Sequence, residues 1–268
     1  MRHIEPTELP PVKNPVQLLG RRISEYTRAI GFTILIILES FLFSFQLFTK
    51  RRHEFIRQMM NCGVRSLFIT SIVAVFTGMI LALQAGLILK SYNQEVQVGT
   101  LVAKTMCREM GPFMAALILA ASVGSAYAAE IGTMTVSEEV TALQTMSINP
   151  LSFLVTPRLW AMIFMCPALT VFTNALGIIG GMIVAETQLS VSPEAYYDNA
   201  LQLLTASEIH KGLLKSVVFA IIIVGISAYQ GFTTRDGAVG VGKATRKAVV
   251  VSFLYILMSG YFISRIFY

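Results

Sequence analysis

The chain has 268 residues, of which 54% are hydrophobic and 13% are charged, and its mean hydropathy is +0.66. This composition is too apolar for an ordinary soluble domain and indicates a membrane protein. The net charge of +6 does not predict a nucleic-acid partner, because in a membrane protein basic residues first mark the loops that stay in the cytoplasm.

The N-terminal region combines a polar lead-in with one ambiguous apolar stretch. Residues 1–27 are polar, contain four prolines and show no signal-peptide pattern, so we expect them on the cytosolic side or at the membrane surface. Residues 28–48 are apolar, but Arg28 opens this stretch and Glu39 interrupts it. The stretch either spans the membrane or lies in its interface as an elbow helix.

Five later stretches are long enough to cross a bilayer core of about 30 Å, which needs about 20 apolar helical residues. They cover residues 66–90, 111–131, 158–185, 212–232 and 248–267. The pattern predicts an all-α integral membrane protein with one domain over residues 28–268, built from the elbow helix and five transmembrane helices.

From residue 50 onward, ten Lys and Arg residues fall in loops 50–65, 132–158 and 233–247 and six fall on the opposite side. This bias places the first set of loops in the cytoplasm.

Small residues recur at helical spacing in two of the spans. In the second span Ala116, Ala120, Gly124 and Ala128 repeat every four residues. Because helices approach closely where side chains are small, this span is expected at the centre of a bundle or dimer. Gly177 and Gly181 in the third span form a GxxxG pair, which is a weaker signal because glycine is common in membrane helices.

A short external helix is predicted between the third and fourth spans. Ser192 is a suitable N-cap, Pro193 suits the first helical position and Glu194 lies in the first turn. Tyr196 and Tyr197 are expected in the aromatic belt at the membrane interface.

A second short helix is predicted on the cytosolic face, between the second and third spans. Thr135 and Glu138 have capping-box spacing, so the helix is expected to begin at Val136 and to end near Ser147, before Pro150. It is about 18 Å long, too short to cross the membrane. Its apolar residues share one stripe and its acidic residues face elsewhere, which favours docking to a protein with a basic cleft. The expected contact residues are Val136, Glu138, Glu139, Val140 and Leu143.

Several motifs resemble the MlaE/YrbE permeases, the membrane subunits of ABC transporters that move lipids across the bacterial envelope. They are REMGP (108–112), VGSAYAAEIGTM (123–134), ALQTMSINP (142–150), PRLWA (157–161) and GAVGVGKATRKAVV (237–250). The resemblance implies a homodimer in the bacterial inner membrane, bound to a cytosolic ATPase dimer and to a periplasmic ring of MCE-domain proteins. It also implies that residues 136–147 form the coupling helix, which fits a groove of the ATPase.

One position departs from the family pattern. Many relatives carry Arg where Ser122 stands here. If that Arg pairs with a carboxylate, Glu130 must find another partner in this chain, lie near the interface or be protonated.

The segment GAVGVGK (237–243) matches the phosphate-loop pattern G-x-x-x-x-G-K, but Ala244 stands where Ser or Thr is needed for magnesium. We interpret it as a flexible cytosolic loop with Lys243, Arg246 and Lys247 at the membrane edge. No cofactor is expected in this chain, and ATP is expected on a separate partner subunit.

The polar residues do not favour an enzyme. His3, His53 and His210 lie outside the predicted spans, so neither a His-dependent protease nor a His metal site is expected at membrane depth. The three cysteines match no zinc or disulfide spacing, and we interpret them as packed thiols.

A lipid-binding stripe is predicted on the first firm span. Phe76, Ile80, Leu83 and Leu87 share one face, with Met79 and Gln84 beside it. By resemblance this helix lines the cavity that holds lipid tails at the dimer interface. The alternative is that the stripe faces bulk lipid or a neighbouring helix.

The predicted function is phospholipid transport between the inner and outer membranes. The alternatives are a permease for a sterol or glycolipid, or a membrane scaffold that transports nothing.

Overall fold

A computed structural model gives the fold and describes residues 15–42, 52–202 and 204–267. Within these ranges all regular secondary structure is helical. The helices are α1 (Pro15–Leu42), α2 (Arg52–Lys90), α3 (Glu95–Val136), α4 (Glu139–Thr145), α5 (Leu151–Leu189), α6 (Pro193–Gln202), α7 (Ala206–Phe232) and α8 (Gly237–Phe267). Residues 1–14 and 43–48 of the predicted lead-in and elbow lie outside the described residues.

Five of the described helices, α2, α3, α5, α7 and α8, are long and apolar enough to cross a membrane. This agrees with the five predicted spans, although four of the helices extend well beyond the predicted bounds. The helices alternate in direction. The first and third of the five, α2 and α5, run parallel, because Gly63 lies against Met165 and Gly86 lies against Leu189.

Helix α3 lies at the centre of the bundle and contacts α2, α5, α7 and α8. Its stripe of small residues is buried, as predicted, at Ala116, Ala120, Gly124 and Ala128. The neighbouring small residue Ala121 is exposed in the single chain. One face of the central helix therefore packs inside the bundle while the adjacent face is left open.

Close backbone contact between α2 and α5 explains the GxxxG pair. A Cβ atom on Gly78 would overlap the carbonyl of Gly177, and one on Gly180 would overlap the carbonyl of Val75. Gly181 lies against the hydroxyl of Tyr196. The two helices approach at positions without side chains, which is how small residues bring membrane helices together.

Helix α3 begins earlier than predicted, because residues 95–110 are helical and not a loop. A π-turn, Met106–Met110, precedes the Gly111–Pro112 pair. Pro112 has no N–H to donate to the carbonyl of Arg108 four residues earlier. That carbonyl instead accepts a hydrogen bond of 2.9 Å from the Nζ atom of Lys215 on α7.

The predicted short helix α6 forms at Pro193–Gln202. The backbone N–H of Ala195 donates to the Ser192 hydroxyl at 3.3 Å, in keeping with an N-cap. Of the two tyrosines, only Tyr197 is exposed. The interface-belt prediction is wrong for Tyr196, which is fully buried and donates to the carbonyl of Ile178 at 3.1 Å. Burial raises the pKa of the Tyr196 phenol above its ordinary value.

The prediction of a flexible loop at residues 237–247 is also wrong, because these residues form the first turns of α8. The chain turns at Asp236 and Gly237, both with left-handed backbone angles. Gly240, Ala244 and Ala248 then repeat every four residues and are buried on one face. Packing of these small residues holds the segment as a helix despite its glycine content.

Candidate functional site

The short helix α4 lies between two residues with left-handed backbone angles. Glu138 has φ +62° and Ser147 has φ +60°. After Ser147, the side-chain oxygen of Asn149 accepts a hydrogen bond of 3.0 Å from the backbone N–H of Leu151 and so caps α5. The sequence analysis missed this cap. Helix α4 is thus a short, separate segment between α3 and α5, as the sequence analysis expected.

The predicted capping box is wrong. The Thr135 hydroxyl donates to the carbonyl of Ile131 at 2.8 Å, so Thr135 and Val136 belong to the last turn of α3. Glu138 ends that helix with its left-handed angle, and α4 begins at Glu139 and ends at Thr145. The predicted helix of residues 136–147 is therefore shorter at both ends.

The predicted contact residues of α4 divide into two faces. Val140 and Leu143 are half-buried, whereas Glu138 and Glu139 are exposed. Val136, at the end of α3, is also exposed. The surface that α4 offers to the outside is therefore acidic and polar, with its apolar side toward the bundle.

An ion pair between a buried arginine and a half-exposed glutamate joins the two helices that flank α4. Arg158 of α5 is only 8% exposed, and its Nη2 atom lies 2.8 Å from the carboxylate of Glu130 on α3. Its Nη1 atom donates to the carbonyl of Leu154 at 2.6 Å. Arg158 is the partner that Glu130 needed. The sequence analysis missed it, because 28 residues separate the two. Ser122 takes no part and donates to the carbonyl of Ile118.

Helix α1 contacts the N-terminal part of α5 and the C-terminal half of α7. Its residue Glu39 accepts a hydrogen bond of 3.3 Å from the amide of Asn149. The ring of Phe41 lies edge-on to Trp160 of α5, with centroids 5.5 Å apart. On α7, Gly225 lies against Thr33 and Ile37. Helix α1 thus contacts both α5 and α7.

The predicted lipid stripe lies on an open face of α2. Phe76, Ile80, Leu83 and Leu87 are all exposed, from 37% at Leu83 to 61% at Leu87. Gln84 is exposed and Met79 is half-buried. The face of α2 that packs on α5 carries Ala74, Gly78 and Ala82. The structure thus brings the stripe together, but the described residues of one chain do not close it into a pocket.

A separate apolar cavity of about 320 Å³ lies between α3, α5 and α6. Its lining includes Ala103, Ile178, Met182, Tyr196 and Leu201 and none of the predicted stripe residues.

A second polar cluster, absent from the sequence analysis, joins α3, α7 and α8. Lys215 is only 1% exposed, and its Nζ atom contacts the carboxylate of Glu109 at 2.5 Å and the hydroxyl of Ser264 at 2.8 Å. Nearby, Arg108 pairs with Glu208 at 2.9 Å. Burial of the Lys215 ammonium requires these partners, because an unpaired buried charge is costly.

Comparison with known proteins places these features in a family. The family model described as "Permease MlaE" matches residues 55–266. The chain belongs to the MlaE permease family. The match covers all five membrane-capable helices except the first turn of α2 and the last residue of α8. The chain is therefore a multi-pass membrane protein of an ABC-transporter permease family.

Individual MlaE relatives cover most of the chain. A Rickettsia prowazekii protein named "Probable ABC transporter permease protein" is 39% identical over 213 residues, which is 80% of this chain and 82% of the relative. The "Intermembrane phospholipid transport system permease protein MlaE" of Haemophilus influenzae is 30% identical over 260 residues, 96% of this chain and 98% of the relative. The chloroplastic protein of Arabidopsis thaliana named trigalactosyldiacylglycerol 1 is 31% identical over 213 residues, 80% of this chain and 61% of the relative.

Proposed function

We propose that this chain is the permease subunit of an ABC transporter that moves phospholipid between the inner and outer membranes of a bacterial envelope. The observation that carries the proposal is the short acidic helix α4, exposed at one end of a bundle of five membrane-capable helices. The Haemophilus relative is named as a permease of an intermembrane phospholipid transport system, which supports phospholipid as the cargo.

In this proposal α4 is the coupling helix and docks into a groove of a cytosolic ATPase dimer. Glu138 and Glu139 provide the charge that a basic cleft recognises, while Val140 and Leu143 hold α4 against the bundle. The chain itself performs no chemistry. Movement of the ATPase displaces α4, and α3 and α5 carry the displacement into the membrane.

The cargo site in this proposal is the open stripe of α2 in a homodimer. Exposed apolar residues, from Phe76 to Leu87, suit acyl chains, and Met79 at the edge of the stripe adapts to chains of different shape. A second copy of the chain closes the site, and a ring of MCE-domain proteins receives the lipid on the outer side. Helix α1 acts as the elbow helix, since its contacts lie along the cytosolic ends of α5 and α7.

A double charge reversal tests the coupling assignment. Changing Glu138→Lys together with Glu139→Lys places positive charge against the basic cleft, so we expect the amount of ATPase that co-purifies with the permease to fall by about tenfold or more, as for opposed interface charges. Co-purification from native membranes followed by quantitative mass spectrometry measures this ratio.

The matched control reverses two exposed acidic residues at the other end of the bundle, Glu186→Lys with Glu194→Lys. It changes the net charge equally and is expected to leave the ATPase bound. Retention of the ATPase by the Glu138 and Glu139 variant would contradict the assignment of α4.

A further inference from the structure

Close to α4, an ion pair joins the two helices that flank it, Glu130 on α3 and Arg158 on α5. Between Val136 of α3 and Leu151 of α5 the chain forms the α4 hairpin, whose two turns contain the left-handed residues Glu138 and Ser147. The Arg158–Glu130 pair lies on the bundle side of both turns. The pair therefore joins α3 and α5, the two arms of the hairpin, directly, and it lies within these helices and not in the turns.

The geometry around Arg158 fixes its guanidinium group from several directions. One nitrogen binds Glu130, another binds the carbonyl of Leu154, and the guanidinium carbon lies 5.4 Å from the centre of the Tyr127 ring. A guanidinium group stays charged and is planar, so it meets a carboxylate and an aromatic face in defined orientations. Such a contact defines the register of α5 against α3 at this point.

The link continues to a third helix. The hydroxyl of Tyr127 and the sulfur of Cys62 on α2 lie 2.6 Å apart. Through Tyr127, the same site thus joins α2, which carries the predicted lipid stripe, to α3 and α5. The Arg158 site is therefore in contact with three helices, α2, α3 and α5.

We propose that Arg158 is a positioning residue that makes α3 and α5 move as one body when α4 is displaced. Without the Glu130 pair, movement of α4 is absorbed by the two turns and by separation of the arms. With the pair in place, α3 and α5 move together, and the movement reaches α2 through Tyr127 and through the close packing of α2 on α5. This inference rests on the proposed function and assigns to one ion pair the transmission between ATP hydrolysis and lipid movement.

The test uses the permease co-purified with its ATPase and reconstituted in vesicles that contain a fluorescent phosphatidylglycerol. The variants are Arg158→Glu, Glu130→Arg and the double swap of both. We expect each single variant to bind the ATPase and hydrolyse ATP but to transfer about tenfold less lipid per ATP, within the range of coupling energies for contacting charges. The double swap restores the pair and is expected to recover most of the transfer.

Arg158→Lys provides a milder variant if a reversed charge prevents folding. It keeps the positive charge but loses the fixed planar geometry, so we expect normal ATPase binding with a partial loss of lipid per ATP. Normal lipid transfer per ATP in folded single variants, or no recovery in a folded double swap, would overturn the role of Arg158. If the wild-type complex moves no phospholipid, the proposed function itself falls, and this inference falls with it.

Discussion

Gly78 shows how strongly a single residue constrains the fold. At this position α2 lies against the backbone of α5, and a Cβ atom would overlap the carbonyl of Gly177. The sequence revealed half of this contact, because the spacing of Gly177 and Gly181 predicts a close helix approach. It did not reveal that Gly78 is the partner, since the register between two helices about one hundred residues apart has no local signal in a single sequence. The same reason hid the pairing of Glu130 with Arg158.

Two glycine-to-alanine variants distinguish the effect of steric overlap on stability from the effect of reduced backbone flexibility. Gly78→Ala places a methyl group into the carbonyl of Gly177, so we expect a loss of about 1–3 kcal/mol in stability, as for overpacked cores. Gly242→Ala is the control, because Gly242 lies within helix α8 with open space around it. There alanine is expected to be neutral or to stabilise by up to about 1 kcal/mol. Thermal unfolding in detergent ranks the two variants, and equal melting temperatures would contradict close α2–α5 packing.

Helices as elements were easier to predict than their ends. Hydropathy identifies the apolar windows, but α2, α3 and α5 continue as helices into polar sequence that a window of apolar residues does not include. The T-x-x-E spacing at Thr135 was misleading, because a threonine inside a continuing helix also satisfies its hydroxyl on the carbonyl four residues earlier. The existence and polarity of α4 followed from composition and length, whereas its exact start depended on the left-handed angle at Glu138.

The predicted lipid stripe belongs to this scale, since it is a face of one helix. Leu83→Asp introduces a carboxylate into the stripe, so we expect the phospholipid that co-purifies with the permease to fall by about tenfold or more, because a charge at this depth costs about 2–4 kcal/mol in an apolar site. Ile183→Asp is the matched control on α5, where Ile183 is similarly exposed but lies outside the stripe. Lipid mass spectrometry on the purified complex compares them. An equal loss in both variants would mean that the stripe has no special role in binding.

On the scale of the whole molecule, one chain leaves much apolar surface uncovered. Helix α8 exposes large residues along its length, including Leu254, Leu257 and Phe262, and the stripe of α2 is also open. In a membrane, lipid or a second copy of the chain covers such faces. The number and alternating direction of the spans were predictable from loop charge and hydropathy. The surfaces that pair with other subunits were not, because an apolar face looks the same in sequence whether it contacts lipid or protein.

The proposed function requires α4 to face the cytoplasm, and cysteine labelling tests this requirement directly. The native cysteines Cys62, Cys107 and Cys166 are buried, so a membrane-impermeant maleimide has little background. Thr141→Cys places an exposed thiol on α4, and Ser91→Cys places one in the turn between α2 and α3 at the opposite end of the bundle. In intact cells with a permeabilised outer membrane, we expect Ser91→Cys to react and Thr141→Cys to react only after lysis, because the excess of Lys and Arg assigns the α4 end to the cytoplasm. Labelling of Thr141→Cys in intact cells would place α4 outside, beyond the reach of any cytosolic ATPase.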